Sequence, residues 1–227
     1  MQDWTYEELE EILGKIEHPE ERHCLLVVLA DNSQAMCGKP MEEINEALRC
    51  LFELVSNDTH LSGKLDSYLI PLNRPRGFVP HRVQAGDIPR LEASGSANLN
   101  AGILSAVDTI ALRKKQYQSL GIDYNKPQIV LLLGSTLEDE ELADEARQTL
   151  SKNVAERRLG FCAFPYGSNA ERLKNSDYNA GVWLSFEEWN EYCDKIMGVW
   201  TSSGPPFPTL TKAECSANAS DCMTIEL

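Results

Sequence analysis

Several short, unbroken apolar runs are the most regular feature of the chain. They lie at residues 25–30, 129–133 and 159–164, and GVWL at residues 181–184 forms a fourth. The first three are too short for globular helices and are rich in branched side chains, so each predicts a strand buried on both faces of a sheet. The fourth predicts a short last strand.

Longer stretches have a hydrophobic period near 3.6 residues and predict helices. These helices are expected at about residues 5–16, 38–55, 98–115, 138–158 and 185–200. Thr5 with Glu8 has the spacing of a capping box, and Asn98 is expected to cap the third helix. Arg113 is expected near the end of that helix, where the helix dipole favours cations. Residues 169–175 suggest a short helical turn.

A predicted hairpin interrupts this alternation. Its strands are expected at residues 66–72 and 78–83, and the prolines Pro71 and Pro80 place the second strand at an edge of the sheet. The order of elements predicts an α/β fold with a doubly wound, mostly parallel sheet, one antiparallel edge strand and helices on both faces. We expect an amphipathic extension at 1–22, one domain at 23–200 and a proline- and serine-rich, poorly ordered tail at 201–227.

Composition narrows the classes of function. With 21 Lys and Arg against 35 Asp and Glu, the formal charge is −14, which argues against nonspecific binding to nucleic acid or to anionic membranes. The sequence shows no membrane-spanning run and no signal peptide, so we expect a cytoplasmic protein. Its seven cysteines are an odd number without close C-x-x-C pairs, which suggests neither a disulfide framework nor a zinc site.

The common catalytic motifs are absent from the sequence. It has no G-x-G-x-x-G, P-loop or G-x-S-x-G pattern. The four histidines, His18, His23, His60 and His81, fall in predicted connectors or an edge strand, so a serine–histidine mechanism has no evident base. Six of the eight residues at 138–145 are acidic. A solvated helix start explains this cluster, and the capture of a cation is the alternative.

Asp31, Asn32 and Ser33 directly follow the first apolar run. Open α/β sheets bind their ligands outside the carboxyl ends of the strands, so these three residues mark the candidate site. The simplest role for the Asp31 carboxylate is structural, because it stays charged without a metal when it accepts backbone N–H groups. Gly95, Ser96 and Asn98 are the expected neighbours across the gap.

Three sequence stretches near predicted strand ends resemble a von Willebrand factor A (vWA) domain. They are ADNSQAM at residues 30–36, EASGSANLNAGI at 92–103 and LLLGSTLED at 131–139. Together with GKPMEEINEAL at 38–48, they most resemble the bacterial tellurium-resistance type. The likeness covers about residues 24–200 and implies a vWA/Rossmann-like fold. In this family three loops hold Mg²⁺ or a similar cation, which also binds a carboxylate of a partner protein.

The resemblance also shows what this chain has lost. Asp31 and Ser33 match the family's D-x-S-x-S loop, but Ala35 replaces its second serine, Ala97 its threonine and Ser135 its aspartate. Magnesium requires near-octahedral oxygen coordination, so this vestigial site is expected to hold no metal. A weakly bound Mg²⁺ at Asp31 and Ser33 is the alternative.

The sequence therefore predicts a noncatalytic module that binds another protein, as a scaffold or adaptor. The loop residues expected to contact that partner are Asn32, Gln34, Ser96, Asn98 and Thr136. The resemblance implies a stress-resistance or phosphosignalling complex. Two alternatives remain open: a metal-competent domain that binds a partner carboxylate through Mg²⁺, and an enzyme that uses Asp31 as nucleophile or general base.

Overall fold

The structure is a computed structural model that describes residues 5–61, 63–84, 86–134, 144–166, 182–184 and 186–201. The predicted tail, the helical turn at 169–175 and most of the acidic cluster at 138–145 lie outside these residues. Ser135, Thr136 and Ser185 lie outside them as well.

Within the described residues, a six-stranded sheet forms the centre of the fold, in the order β3-β2-β1-β4-β5-β6. The strands are β1 (Cys24–Ala30), β2 (Leu65–Pro71), β3 (His81–Val83), β4 (Gln128–Leu133), β5 (Gly160–Pro165) and β6 (Val182–Trp183). All neighbouring pairs are parallel except β2 and β3, which are antiparallel. The predicted mostly parallel sheet with one antiparallel edge strand is confirmed.

Helices cover both faces of this sheet. They are α1 (Tyr6–Leu13), α2 (Lys39–Asn57), α3 (Leu99–Leu120), α4 (Asp144–Ala155) and α5 (Trp189–Thr201). The side chains of α2 and α5 enter one hydrophobic cluster, and those of α1, α3 and α4 enter the other. The predicted doubly wound α/β fold, with helices on both faces of a mostly parallel sheet, is therefore confirmed.

Strand β1 lies in the middle of the sheet, and its seven residues are all buried. Its side chains alternate between the two clusters: Leu26 and Val28 pack toward α2, whereas Leu25 and Val27 pack toward α3. This is the arrangement expected for an unbroken apolar run, because a strand covered on both faces has no solvent-facing side.

Several helices begin or end differently from the prediction: α3 continues to Leu120, beyond residue 115, and α4 ends at Ala155, before residue 158. Helix α1 ends at Leu13, because Gly14 adopts a positive φ of 79° that breaks the helix, yet Ile16 beyond it is still buried. At the other end of the chain, α5 begins at Trp189 and follows a single 3₁₀ turn at Phe186–Glu188. Sequence periodicity locates buried side chains better than it locates helix ends.

The strand order fixes where a ligand site can form. The chain moves outward from β1 through β2 to β3, and then returns across β1 to β4. The crevice between the carboxyl ends of β1 and β4 is therefore the point where the strand order reverses, which is the usual binding position in open α/β sheets. Asp31 follows β1, and Gly134 follows β4.

Candidate functional site

The Asp31 carboxylate closes the crevice between β1 and β4. Its side chain is fully buried. Oδ1 accepts a hydrogen bond from the backbone N–H of Ser33 at 2.9 Å, and Oδ2 accepts one from the backbone N–H of Gly134 at 3.2 Å. Both oxygens are thus engaged by the protein's own backbone, which compensates a buried negative charge. The predicted structural role of Asp31 has direct geometric support.

The donors to Asp31 differ in part from those expected. Ser33 belongs to the loop that follows the strand, as predicted, but Gly134 lies on the neighbouring strand connection. Asn98 instead caps α3, with its Oδ1 accepting from the N–H of Ala101 at 2.9 Å. The carbonyl of Gly95 accepts from the N–H of Gln34 at 2.8 Å and so joins the loops through backbone alone.

Asn32, predicted to contact a partner, instead joins three loops internally. It is 4% exposed. Its Oδ1 accepts from the N–H of Asn73 at 3.1 Å, its Nδ2 donates to the carbonyl of Glu92 at 3.3 Å, and its own carbonyl accepts from the N–H of Ser94. Because the side chain is used inside the protein, it presents little surface for another molecule.

Two further asparagines extend this bracing. Asn73 Nδ2 donates to Ser94 Oγ at 2.9 Å. Asn45, on α2, exchanges two hydrogen bonds with the backbone of Leu91: its Nδ2 donates to the carbonyl at 2.9 Å, and its Oδ1 accepts from the N–H at 2.8 Å. We call Asn32, Asn45 and Asn73 the asparagine braces. Together they fix the glycine- and serine-rich loop before α3, whose composition gives it no regular structure of its own.

Outside the braces, the loops present an exposed rim. Gln34, Ala35, Ser96 and Asn98 are exposed, and Ala97 between them is partly buried. Val79, in the connection from β2 to β3, is 54% exposed and lies near the carboxyl end of β2. We call these residues the loop rim. It combines amide and hydroxyl groups with apolar surface and carries no charged side chain of its own.

The oxygen donors present do not fit an octahedral cation. Ala35 and Ala97 supply no side-chain oxygen, and Asp31 is already held by backbone N–H groups. No group of three or more His, Cys, Asp or Glu within the described ranges is placed to hold a metal ion. The Ser33 hydroxyl supports the alternative, a cation bound beside Asp31, because this hydroxyl is buried without a hydrogen-bond partner. Ser135 and Thr136, the remaining predicted site residues, lie outside the description.

A second polar cluster was not predicted. It lies at the amino ends of the central strands, away from the Asp31 crevice. It centres on Asp66, at the beginning of β2, which is 1% exposed. The carboxylate accepts from Arg113, from Arg82 at 3.1 Å and from the hydroxyl of Tyr117, and it lies 3.1 Å from Nδ1 of His23. The prediction that Arg113 lies near the end of α3, where the helix dipole favours cations, is wrong, since α3 continues to Leu120 and the Arg113 side chain is buried against Asp66. His23 is also buried rather than part of a solvated connector.

Electrostatics keep this second cluster ionised. Burial alone would raise the pKa of Asp66, but the hydrogen bond with His23 and the charge of Arg113 outweigh it and lower that pKa from 3.8 to about 2. Burial opposes the charge of Arg113, yet Asp66 raises the pKa of that guanidinium above its ordinary value. Burial and the Asp66 charge raise the pKa of Tyr117. Because its main members are inaccessible, this cluster is a structural element rather than a catalytic site.

One sequence signal pointed to this cluster. Arg113 lies on the buried face of α3. The other residues of this face include Leu99, Ile103, Ala106, Ile110 and Tyr117. A charged residue on such a face requires a buried partner, because an unpaired charge inside a protein is strongly unfavourable. Asp66, at the beginning of a mostly apolar strand, has the matching charge. The spacing of 47 residues between them hides the pair from local patterns.

Comparisons with known proteins find similarity only at the level of structure. No family model matches the chain, and no curated protein matches it. Among solved structures, the chain is similar to the pilus adhesin SpaC from Lactobacillus rhamnosus GG, at 12% identity and a TM-score of 0.49. That match covers 82% of this chain and 31% of the adhesin.

Two other solved structures have lower scores. Proximal thread matrix protein 1 from the mussel byssus matches at 12% identity and a TM-score of 0.46, covering 78% of this chain and 47% of that protein. The human COPII-coat protein Sec24c matches at 10% identity and a TM-score of 0.35, covering 80% of this chain and 32% of that one. The chain thus spans less than half of each of these structures. Identities this low carry no function over to this chain.

Proposed function

We propose that this protein is a noncatalytic interaction module that binds another protein through the loop rim. The observation that carries the proposal is the closed crevice between β1 and β4. Asp31, which would hold a cation in a metal-dependent vWA domain, accepts backbone N–H groups from Ser33 and Gly134 instead. The loops are therefore held in place by the protein itself, and the surface they present is formed before a partner arrives.

The chemistry of the rim supports recognition by shape and hydrogen bonding. Gln34, Ser96 and Asn98 are exposed and offer amide and hydroxyl groups, and Val79 adds an apolar contact. A surface fixed in advance loses little conformational entropy on binding, which favours affinity without a bridging ion. None of the rim side chains is a useful acid or base near neutral pH, which argues against an enzyme that works from Asp31.

The setting of the module is also a proposal. No helix in the described part of the chain has the length and apolarity needed to cross a membrane. We propose a cytoplasmic location, as expected from the sequence, and a protein partner from a stress-resistance or phosphosignalling complex, as the family resemblance implies. Neither nucleic acid nor membrane is expected as a partner, because the formal charge is −14.

The test is affinity capture from extract of the source cells, with rim variants and a matched control. Gln34→Arg and Ser96→Arg insert a charge at exposed rim positions and should release a partner that the wild type retains. Gln118→Arg inserts the same charge at an exposed position near the opposite end of α3 and should retain it. A partner retained by both rim variants would refute the rim as the contact surface.

Chelation separates this proposal from the metal-dependent alternative. Capture should be unchanged when EDTA is added, because the crevice is closed by backbone groups. The buried, unpartnered hydroxyl of Ser33 is the observation that favours a cation. If the crevice is closed as proposed, calorimetric titration with Mg²⁺, Mn²⁺ and Ca²⁺ should nevertheless give no binding at micromolar concentrations. Micromolar binding that Asp31→Ala abolishes, together with loss of the partner in EDTA, would establish the alternative.

A further inference from the structure

The segment that joins α1 to the sheet is fastened through its backbone carbonyls. We call residues 13–18 the latch segment. The hydroxyl of Tyr68 donates to the carbonyl of Leu13 at 2.8 Å, and Arg113 donates to that of Gly14 at 2.8 Å. Arg82 donates to the carbonyl of Lys15 at 2.6 Å, and Nε2 of His23 lies 3.2 Å from that of His18. Donors from the body of the protein therefore hold this segment.

Three of these four donors also contact the Asp66 carboxylate. Oδ1 accepts from Arg82 and Arg113, while Oδ2 lies 3.1 Å from Nδ1 of His23. A single buried carboxylate thus contacts Arg82, Arg113 and His23. Each of these side chains also contacts a backbone carbonyl of the latch segment. The same side chains therefore connect the Asp66 carboxylate to the backbone of the latch segment.

His23 is the member of the cluster whose ring can carry either one or two N–H groups. Its two ring nitrogens face Asp66 Oδ2 and the carbonyl oxygen of His18, and both of these oxygens accept hydrogen bonds only. A neutral imidazole has one N–H group and satisfies one of the two contacts, leaving the other as a repulsion between lone pairs. An imidazolium, which has two N–H groups, satisfies both. The ring is fully buried, so solvent does not replace either contact.

We infer that His23 is a proton-dependent latch: its doubly protonated ring holds the latch segment against the buried cluster, and loss of one proton lets that segment open. The titratable and charged groups around the ring belong to several elements. They are Asp66 of β2, Tyr117 and Arg113 of α3, Arg82 of β3, Tyr124, Glu21 with its partner Lys64, and the side chain of His18 with Glu20.

The direction of the pH dependence follows from proton counting. The closed state holds a proton on His23, whereas in the open state an ordinary histidine loses it at a pH of about 6.5. Opening should therefore increase as the pH rises, by as much as about tenfold for each pH unit above that value. Opening would uncover Leu13 and Ile16, which pack with residues of α3 in the hydrophobic cluster. The latch thereby controls access to an apolar surface distant from the loop rim.

The first measurement reads the ring directly in the intact protein. ¹⁵N-detected NMR of His23 at pH 6 should show both ring nitrogens protonated, and the signal should change to a neutral ring as the pH rises toward 9. The change should accompany chemical-shift changes at the latch segment. A ring that is already neutral at pH 6 would overturn the inference.

The second measurement follows the latch segment. Hydrogen-exchange protection factors, which divide out the intrinsic pH dependence of exchange, should be recorded from pH 6 to pH 8.5. The N–H of Glu21 donates to the carbonyl of His18 at 3.0 Å and that of Gly14 to Glu10 at 2.8 Å, so both report on the segment. Their protection should fall by at least tenfold over this range, while β1 amides keep theirs. Constant protection at both amides would overturn the latch.

Two variants assign the effect to one ring. His23→Gln removes the titrating group and should make protection of the latch segment independent of pH. His18→Asn removes the histidine side chain of the latch segment itself but keeps the backbone carbonyl that faces His23. Asparagine also suits the positive φ of 49° at this position, so the pH dependence should remain. If His23→Gln does not fold, the NMR titration of the wild type decides alone. A pH dependence that persists in His23→Gln, or disappears in His18→Asn, would refute the assignment.

Discussion

Replacing Asp66 with alanine should destabilise the fold severely. The substitution removes the carboxylate shared by Arg113 and His23, both fully buried, and by Arg82. Breaking a buried ion pair from one side costs about 3–5 kcal/mol, because the remaining charge is left without compensation. Single domains are stable by only about 5–15 kcal/mol, so this one change removes at least about a fifth of the total.

Urea unfolding followed by circular dichroism measures this loss. With a denaturant slope of about 2 kcal/mol per molar urea, the midpoint should fall by ~1.5–2.5 M. The matched control is Asp144→Ala, which removes a carboxylate paired with Arg147 on the surface of α4. Exposed pairs contribute about 0–1 kcal/mol, so the control should shift the midpoint little. A loss below about 1 kcal/mol for Asp66→Ala would refute the reasoning.

Acid unfolding provides an independent measure of how much the Asp66 carboxylate stabilises the fold. The pKa of Asp66 is lowered from 3.8 to about 2, so its ionised form stabilises the folded state above pH 4. That contribution, about 2 kcal/mol at 1.36 kcal/mol per pKa unit, should be lost as the pH falls from about 4 to 2. It is smaller than the cost of the alanine substitution, because a protonated carboxyl group still makes hydrogen bonds. The free energy of unfolding of Asp66→Asn, measured with urea at each pH, should fall less between pH 4 and pH 2 than that of the wild type.

Three further outcomes test other parts of the structure. Asp31→Ala should cost about 1–3 kcal/mol in urea unfolding, because two backbone N–H groups lose their acceptor; an unchanged midpoint would contradict the closed crevice. Gly102→Ala should destabilise by about 1–3 kcal/mol despite the better helix propensity of alanine, because the new Cβ would lie 2.5 Å from Leu72 Cδ2. Burial raises the pKa of Cys24 to about 11, so iodoacetamide at pH 8 should alkylate the exposed Cys37 well before Cys24, as peptide mass spectrometry would show.

The general fold could be predicted because apolar runs and helical periods are local signals. The run at 25–30 required burial on both faces, and β1 indeed lies in the middle of the sheet with every side chain covered. Asp31 was also anticipated as a carboxylate held by backbone N–H groups, since Ser33 follows it in sequence. Gly134 was not anticipated as the second donor, because the β1–β4 pairing is a long-range property.

The Asp66 cluster could not be predicted with the same rules. Arg113 stands beside two lysines near the end of a helical pattern, where the helix dipole explains cations without tertiary contacts. Its actual environment depends on Asp66, which lies 47 residues earlier in the chain. Likewise, Ile16 was assigned to a helix because of its spacing, although it reaches the core from a segment that has already left the helix at Gly14.

The asparagine braces have a consequence for how the loop rim can change. Asn32, Asn45 and Asn73 fix the loops mainly through bonds to backbone atoms, which every amino acid except proline provides in full. Outward-facing positions such as Gln34 and Ser96 can therefore be randomised with little effect on the loop path. The domain is accordingly a suitable scaffold for display libraries, in which new binding specificities are selected at the rim while the framework below stays constant.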